Sequence, residues 1–128
     1  MTKTLLITDD AVIIREMIKD IAAAAGWQVV GEAADGQTAI ERFRELRPAA
    51  CTLDLVMPGY GGLHALRGIR QIDPEAKVVV VSALDQKKVL MEALRAGAAD
   101  FVVKPFAKTD LIDTLNQLGV IHRRLRGC

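Results

Sequence analysis

Asp9 and Asp10, Asp54, Ser82, and Lys104 followed by Pro105 each stand at the end of a short apolar run, and their chemistries fit together. Three carboxylates brought to one place repel one another by about 4 kcal/mol per pair at roughly 4 Å and an effective dielectric of ~20. A hard divalent cation relieves that repulsion with oxygen ligands alone, and Mg2+ suits a few carboxylates, a carbonyl, water and a phosphate oxygen. No His or Cys accompanies the acids, which argues against zinc. The Lys104 ammonium is a compact charge for one phosphoryl oxygen, and the Ser82 hydroxyl is a donor for another. Cation, lysine and hydroxyl together stabilise a PO3 group in transfer. A carboxylate that accepts it forms an acyl phosphate, and Asp54 is the best placed, between the acid pair and the Ser/Lys pair in chain order.

The elements that must position these groups alternate along the chain. The runs Thr4-Leu5-Leu6-Ile7, Ala49 to Leu53, Val78 to Val81 and Phe101 to Val103 are apolar and too brief for helices, so they read as strands, with Gln28 to Ala33 as a fifth. Between them lie helical patterns. Asp10 is placed to cap a first helix to about Ala25, with Ile13, Ile14, Met17, Ile18 and Ile21 as its apolar stripe and Gly26 as its stop. A second helix runs from about Gln37 to Leu46 and closes at Arg47-Pro48; a third carries Leu63, Leu66, Ile69 and Ile72. Asp85 opens a fourth, with Val89, Leu90, Ala93 and Leu94 inward and Gly97 at its end. The last has Leu111, Ile112, Leu115 and Leu118 on one face, and Ala107, where a capping Ser/Thr would stand, implies a later start with Thr109 or Asp110 as cap. Five strand-then-helix units with continuous apolar strands predict an α/β fold, a parallel five-stranded sheet with helices on both faces. In such open sheets ligands gather outside the carboxyl ends of the strands, where the polar set falls.

With 128 residues, 51% apolar and 26% charged, the chain reads as one soluble domain without a low-complexity stretch. Its net charge of +1 gives no general attraction for polyanions, and no apolar stretch reaches membrane-spanning length, so a cytoplasmic protein that binds neither nucleic acid nor membrane is expected. Cys51 lies in an expected buried strand and Cys128 is the last residue; no disulfide is expected between them.

The motifs Thr8-Asp9-Asp10, Asp54-Leu55-Val56-Met57-Pro58-Gly59 with Gly62, Ser82-Ala83 and Lys104-Pro105-Phe106 resemble, in order and spacing, the receiver domains of two-component response regulators, and among them the free-standing, CheY-like type. The resemblance runs from Lys3 to about Leu118, leaving a short basic C-terminal tail on a single receiver domain over 1–128. It implies the flavodoxin-like strand order 2-1-3-4-5. It further implies that Asp54 is phosphorylated by a histidine kinase and that Asp9, Asp10, Asp54 and the Val56 backbone carbonyl hold Mg2+. Ser82 would move toward the phosphoryl group, Lys104 would contact it, Phe101 would fill the vacated space as a switch, and the bond to Pro105 would be cis. The implied protein is not an enzyme but a monomeric regulator. Its surface of fourth helix, fifth strand and fifth helix would control an effector such as a flagellar switch component or a relay partner, as in chemotaxis.

Plainer readings stand beside several of these. Asp9-Asp10 alone could be a helix cap, and Phe101 alone could be core. Lys87, Lys88, Arg95, Lys104 and Lys108 give the fourth-helix side a basic tilt that fits either an acidic partner or a solvated face, and Arg123, Arg124 and Arg126 complement the dipole of the last helix. Gly59-Tyr60-Gly61-Gly62 lacks the spacing of a phosphate cradle, and His64 and His122 read as solvated. The alternative function is a phosphohydrolase with an aspartyl-phosphate intermediate, which would want a second Asp where Val56 stands. Val56 and Leu84 also depart from the family pattern, being apolar where polar side chains help to position an attacking water; a long-lived phosphorylated state is expected.

Overall fold

The computed structural model describes residues 3–57, 59 and 61–127, with side chains as far as Leu118. The expectations for Pro58, Tyr60, His122, Arg123, Arg124, Arg126 and Cys128 lie outside what is described. Strands and helices alternate as β1 (Thr4–Thr8), α1 (Val12–Ala24), β2 (Gln28–Ala33), α2 (Gly36–Leu46), β3 (Ala50–Asp54), α3 (Gly62–Ile72), β4 (Val78–Ala83), α4 (Lys87–Arg95), β5 (Asp100–Lys104) and α5 (Lys108–Gly127). The strands form one sheet in the order β2-β1-β3-β4-β5, every pair parallel, as the resemblance implies.

Continuous apolar runs suit β1, β3 and β4 because both faces of the sheet are covered. On one face Leu6, Cys51, Leu53, Val78 and Val80 pack against Phe43 of α2, Leu66 and Ile69 of α3 and Ala93 of α4. On the other, Leu5, Ile7, Val79 and Val102 pack against Ile18, Ile21 and Ala22 of α1 and Leu111 and Leu115 of α5. At about 1.5–3 kcal/mol for each large side chain removed from water, these two layers are the main support of the fold. β3 is buried along its whole length, so Asp54 ends the most enclosed strand.

Local signals set most boundaries. Asp35 caps α2 by accepting from the Thr38 amide at 2.8 Å and the Thr38 hydroxyl at 3.0 Å. That helix ends at Arg47 in the left-handed region, before Pro48. Gly26 (φ 85°) and Gly97 (φ 105°) end α1 and α4 as expected.

Four details differ from the sequence reading. Asp10 does not cap α1; the N-cap is Ala11, whose amide donates to Asp9 Oδ1 at 2.9 Å. The α1 stripe is also turned: Ile18, Ile21 and Ala22 are buried, while Ile13 is 72% and Met17 44% exposed. Ala22 joins Ile18 and Ile21 in the layer against the sheet, and with that side inward Ile13 is left outside. α4 begins after Gln86, not at Asp85; the Gln86 side chain accepts from the Ala83 amide at 3.2 Å and holds the turn. α5 begins at Lys108 instead of later, because Asp110 reaches back to accept from the Ala107 amide at 3.2 Å. That is the second half of a capping box without the first.

Candidate functional site

Parallel strands deliver their last residues to one edge, and the site is built there. Asp9 follows β1, Asp54 ends β3, Ser82 lies near the end of β4 and Lys104 ends β5. Register aligns them across the sheet: Thr8 opposite Leu53, Asp54 opposite Val81, Ser82 opposite Val103 and Ala83 opposite Lys104. Asp9, Asp10 and Asp54 each present a carboxylate oxygen within 4.8 Å of the others, Asp9 and Asp54 buried and Asp10 exposed. Lys104 crosses to them, its Nζ 3.0 Å from Asp9 Oδ2 and 3.4 Å from Asp54 Oδ2. The cluster thus carries three carboxylates against one ammonium, an excess of negative charge that an oxygen-ligated divalent cation would balance. The residues fit such an ion by type, number and proximity.

Burial pushes the Asp54 carboxyl above the usual aspartate range; the Val56 amide opposes this, the Asp9 charge adds to it, and Lys104 again opposes it. For Lys104, burial pulls the ammonium down, but its bond to Asp9 and the Asp54 and Asp9 charges outweigh that, leaving it raised. Lys104 is therefore firmly cationic and turned inward. It belongs to the site and not to the basic surface in which the sequence reading also counted it.

The β3–α3 connection fixes Asp54 from beneath. The Val56 amide donates to Asp54 Oδ1 at 3.1 Å, and the Gly62 amide donates to the Leu55 carbonyl at 3.1 Å. A Cβ on Gly62 would collide with the Asp54 carbonyl oxygen and come within 2.6 Å of Leu55 Cα, so only glycine lets α3 start this close to the end of β3.

The remaining named residues lie around this centre. The buried Ser82 hydroxyl donates to the Ala83 carbonyl at 3.2 Å. The Lys104–Pro105 bond is cis. Phe101 is 40% exposed on the β5 edge, so the plain-core reading of this residue does not hold. Val56 and Leu84 are 50% and 79% exposed. Sequence reasoning missed Arg15, whose Nη1 donates to the Asp9 backbone carbonyl at 2.8 Å and whose Nε donates to Glu32 Oε1 at 3.2 Å; the second partner is brought near by the β1–β2 pairing.

The profile of the response regulator receiver domain family matches residues 5–116. The chain is a response regulator receiver domain. It is 45% identical over 118 residues to the chemotaxis protein CheY of Thermotoga maritima, covering 92% of this chain and 98% of that one. It is 41% identical to the Bacillus subtilis CheY, over 91% and 98%. Among solved structures, the receiver domain of AraT from Geobacillus stearothermophilus superposes with a TM-score of 0.87 at 28% identity, over 98% and 99% of the two chains. CheY of Borrelia burgdorferi, solved in a CheX–CheY–BeF3–Mg2+ complex, superposes at 0.85 with 28% identity, over 90% and 87%. The receiver domain described here is accordingly a phosphoacceptor signalling module, of a family that regulates other proteins instead of turning over a substrate. Among its described residues no helix is long and apolar enough to cross a membrane.

Proposed function

We propose that this receiver domain accepts a phosphoryl group from a histidine kinase on Asp54 and uses it to switch a protein-binding surface formed by α4, β5 and α5. The observation that carries this reading is the convergence of Asp9, Asp54 and Lys104 from three strands distant in sequence onto one cation-hungry point. Asp9, Asp10, Asp54 and the Val56 carbonyl would hold Mg2+, which when bound supplies positive charge to the phosphoryl oxygens. The relative solved with Mg2+ and BeF3 supports that assignment.

In the transfer, an Asp54 carboxylate oxygen forms the new O–P bond as the donor's P–N bond breaks. Lys104, already charged and on a stem that reaches Asp54, neutralises a phosphoryl oxygen. Ser82 then gives up its bond to the Ala83 carbonyl and turns its hydroxyl to another, and Phe101 leaves the surface for the space vacated. The coupling is a shift between two arrangements of the β4–α4–β5 side. Around Met91 that side presents Lys87, Lys88 and Arg95 against one acid, Glu92, a net basic surface suited to an acidic effector; similarity to chemotaxis proteins favours a chemotaxis partner. We further take the module to be a monomer acting in the cytoplasm. The half-exposed, apolar Val56 offers no second acid for a phosphohydrolase.

Incubation with acetyl phosphate and Mg2+, followed by intact mass measurement, should show one phosphoryl adduct on the wild type and none on Asp54→Asn. Continuous turnover of a separate phosphoester would instead support the hydrolase.

A further inference from the structure

The Asp9 carboxylate is held by Lys104 and the Ala11 amide, whereas among the described residues the exposed Asp10 carboxylate has no hydrogen-bond or ion-pair partner. What orients Asp10 is its backbone, and the plane of the Asp9–Asp10 peptide decides where that backbone points. This peptide precedes α1, and its carbonyl takes no part in the helix ladder, which opens with the Arg15 amide on the Ala11 carbonyl. Its partner is Arg15, one turn into the helix, at 2.8 Å from Nη1. The same guanidinium donates through Nε to Glu32 Oε1 of β2 at 3.2 Å, and Lys19 Nζ braces the other oxygen of Glu32 at 2.9 Å while also reaching Glu16 at 3.1 Å. One residue on, the Ala33 carbonyl of β2 accepts from the Asp9 amide at 3.1 Å. Arg15 is mostly enclosed, its side chain 16% exposed, so the contact is not a loose surface pair.

We propose that Arg15, braced by Glu32, is a positioning residue that fixes the Asp9–Asp10 peptide plane and thereby sets the divalent-cation affinity of the site. The inference rests on the reading of Asp9, Asp10 and Asp54 as a cation site. A guanidinium is suited to the task because its rigid fork bonds two acceptors at once; a lysine has the charge without the fork. Residues one step behind metal ligands act in this way, and their loss lowers metal affinity by about 10- to 100-fold.

The sign of the effect separates positioning from charge. Arg15 is a cation near a site for a cation, so electrostatics alone makes its removal tighten Mg2+ binding. Positioning makes its removal weaken it. Calorimetric titration of the metal-free protein with Mg2+ alone is expected to show affinity lowered about tenfold in Arg15→Met and by a smaller factor in Arg15→Lys and Glu32→Gln. In phosphorylation by acetyl phosphate, the Mg2+ concentration for half-maximal rate should rise while the rate at saturating Mg2+ stays near wild type. Arg15→Met binding Mg2+ as tightly as wild type, or more tightly, overturns the proposal, as does a reduced saturated rate with unchanged half-saturation. If Arg15→Met shows no cooperative melt in EDTA, Arg15→Lys decides: wild-type affinity in that variant overturns the proposal. A wild type that takes up no Mg2+ overturns the cation reading itself, a different failure.

Discussion

Asp54 must be ionised to act as an acceptor, in a place whose burial favours the neutral acid. Its carboxyl is raised above the ordinary 3.8, so the contribution it makes to stability is fully present below that value and is lost as pH rises through the folded-state value. At neutral pH the charge therefore works against the fold. Asp54→Asn is expected to raise the thermal midpoint at pH 7, because the neutral amide does not carry the charge that burial disfavours. The gain should shrink as pH falls toward 4. Melts followed by circular dichroism across that range check it, and a variant less stable than wild type at pH 7 would show that Lys104 contributes more than burial takes away. On the proposed function, Val56 and Leu84 would act on lifetime: both are exposed apolar side chains, on the loops after β3 and β4, and an apolar side chain there would give an attacking water no hydrogen-bond partner. Replacing them as Val56→Asn and Leu84→Glu should shorten the phosphorylated half-life several-fold, read by loss of the adduct after the phosphodonor is removed; an unchanged half-life would count against this role. The acidic and basic members of the site were legible because each is a polar residue abruptly ending an apolar strand. Arg15 was not, since an arginine on a helix has no distinguishing mark until the β1–β2 register brings Glu32 beside it.

Elements show the same division between what a pattern specifies and what packing decides. Five strands and five helices follow from alternation of apolar runs with helical spacing, and Asp35, Gly26 and Gly97 mark ends by local chemistry. The phase of α1 did not follow, because Ile13, Ile14, Met17, Ile18 and Ile21 span a wide arc and spacing alone does not say which side of it meets the sheet. Packing placed the side with Ile18, Ile21 and Ala22 against the sheet. Close approach is the reason for Gly62, where the first turn of α3 rides on the Asp54–Leu55 backbone. Gly62→Ala is expected to destabilise the domain by about 2 kcal/mol through overpacking against atoms that cannot yield. It should also slow phosphorylation by acetyl phosphate, since the displaced backbone is that of the acceptor. Chemical denaturation together with the phosphorylation rate measures both; a loss of stability with an unchanged rate would mean that α3 moves and Asp54 stays.

Across the whole molecule the elements are unequally anchored. α1, α2 and α3 each bury several side chains, whereas Ala93 is the one buried residue of α4, and β5, at the edge of the sheet, has only Val102 buried. Elements with little buried apolar surface open more readily. Amide hydrogen exchange should therefore be faster across residues 87–95 than across α1, α2 or α3 in the unphosphorylated protein; equal protection would remove the physical basis for switching on this side. Asp54, the proposed acceptor, sits at the opposite extreme, on a strand enclosed along its length. That arrangement has a consequence for how such a module diversifies. Changes to the exposed residues of α4 or the β5 edge leave the acceptor strand and its layers of core untouched, so a lineage can change its listener while keeping its chemistry, and the two properties are free to evolve at different rates.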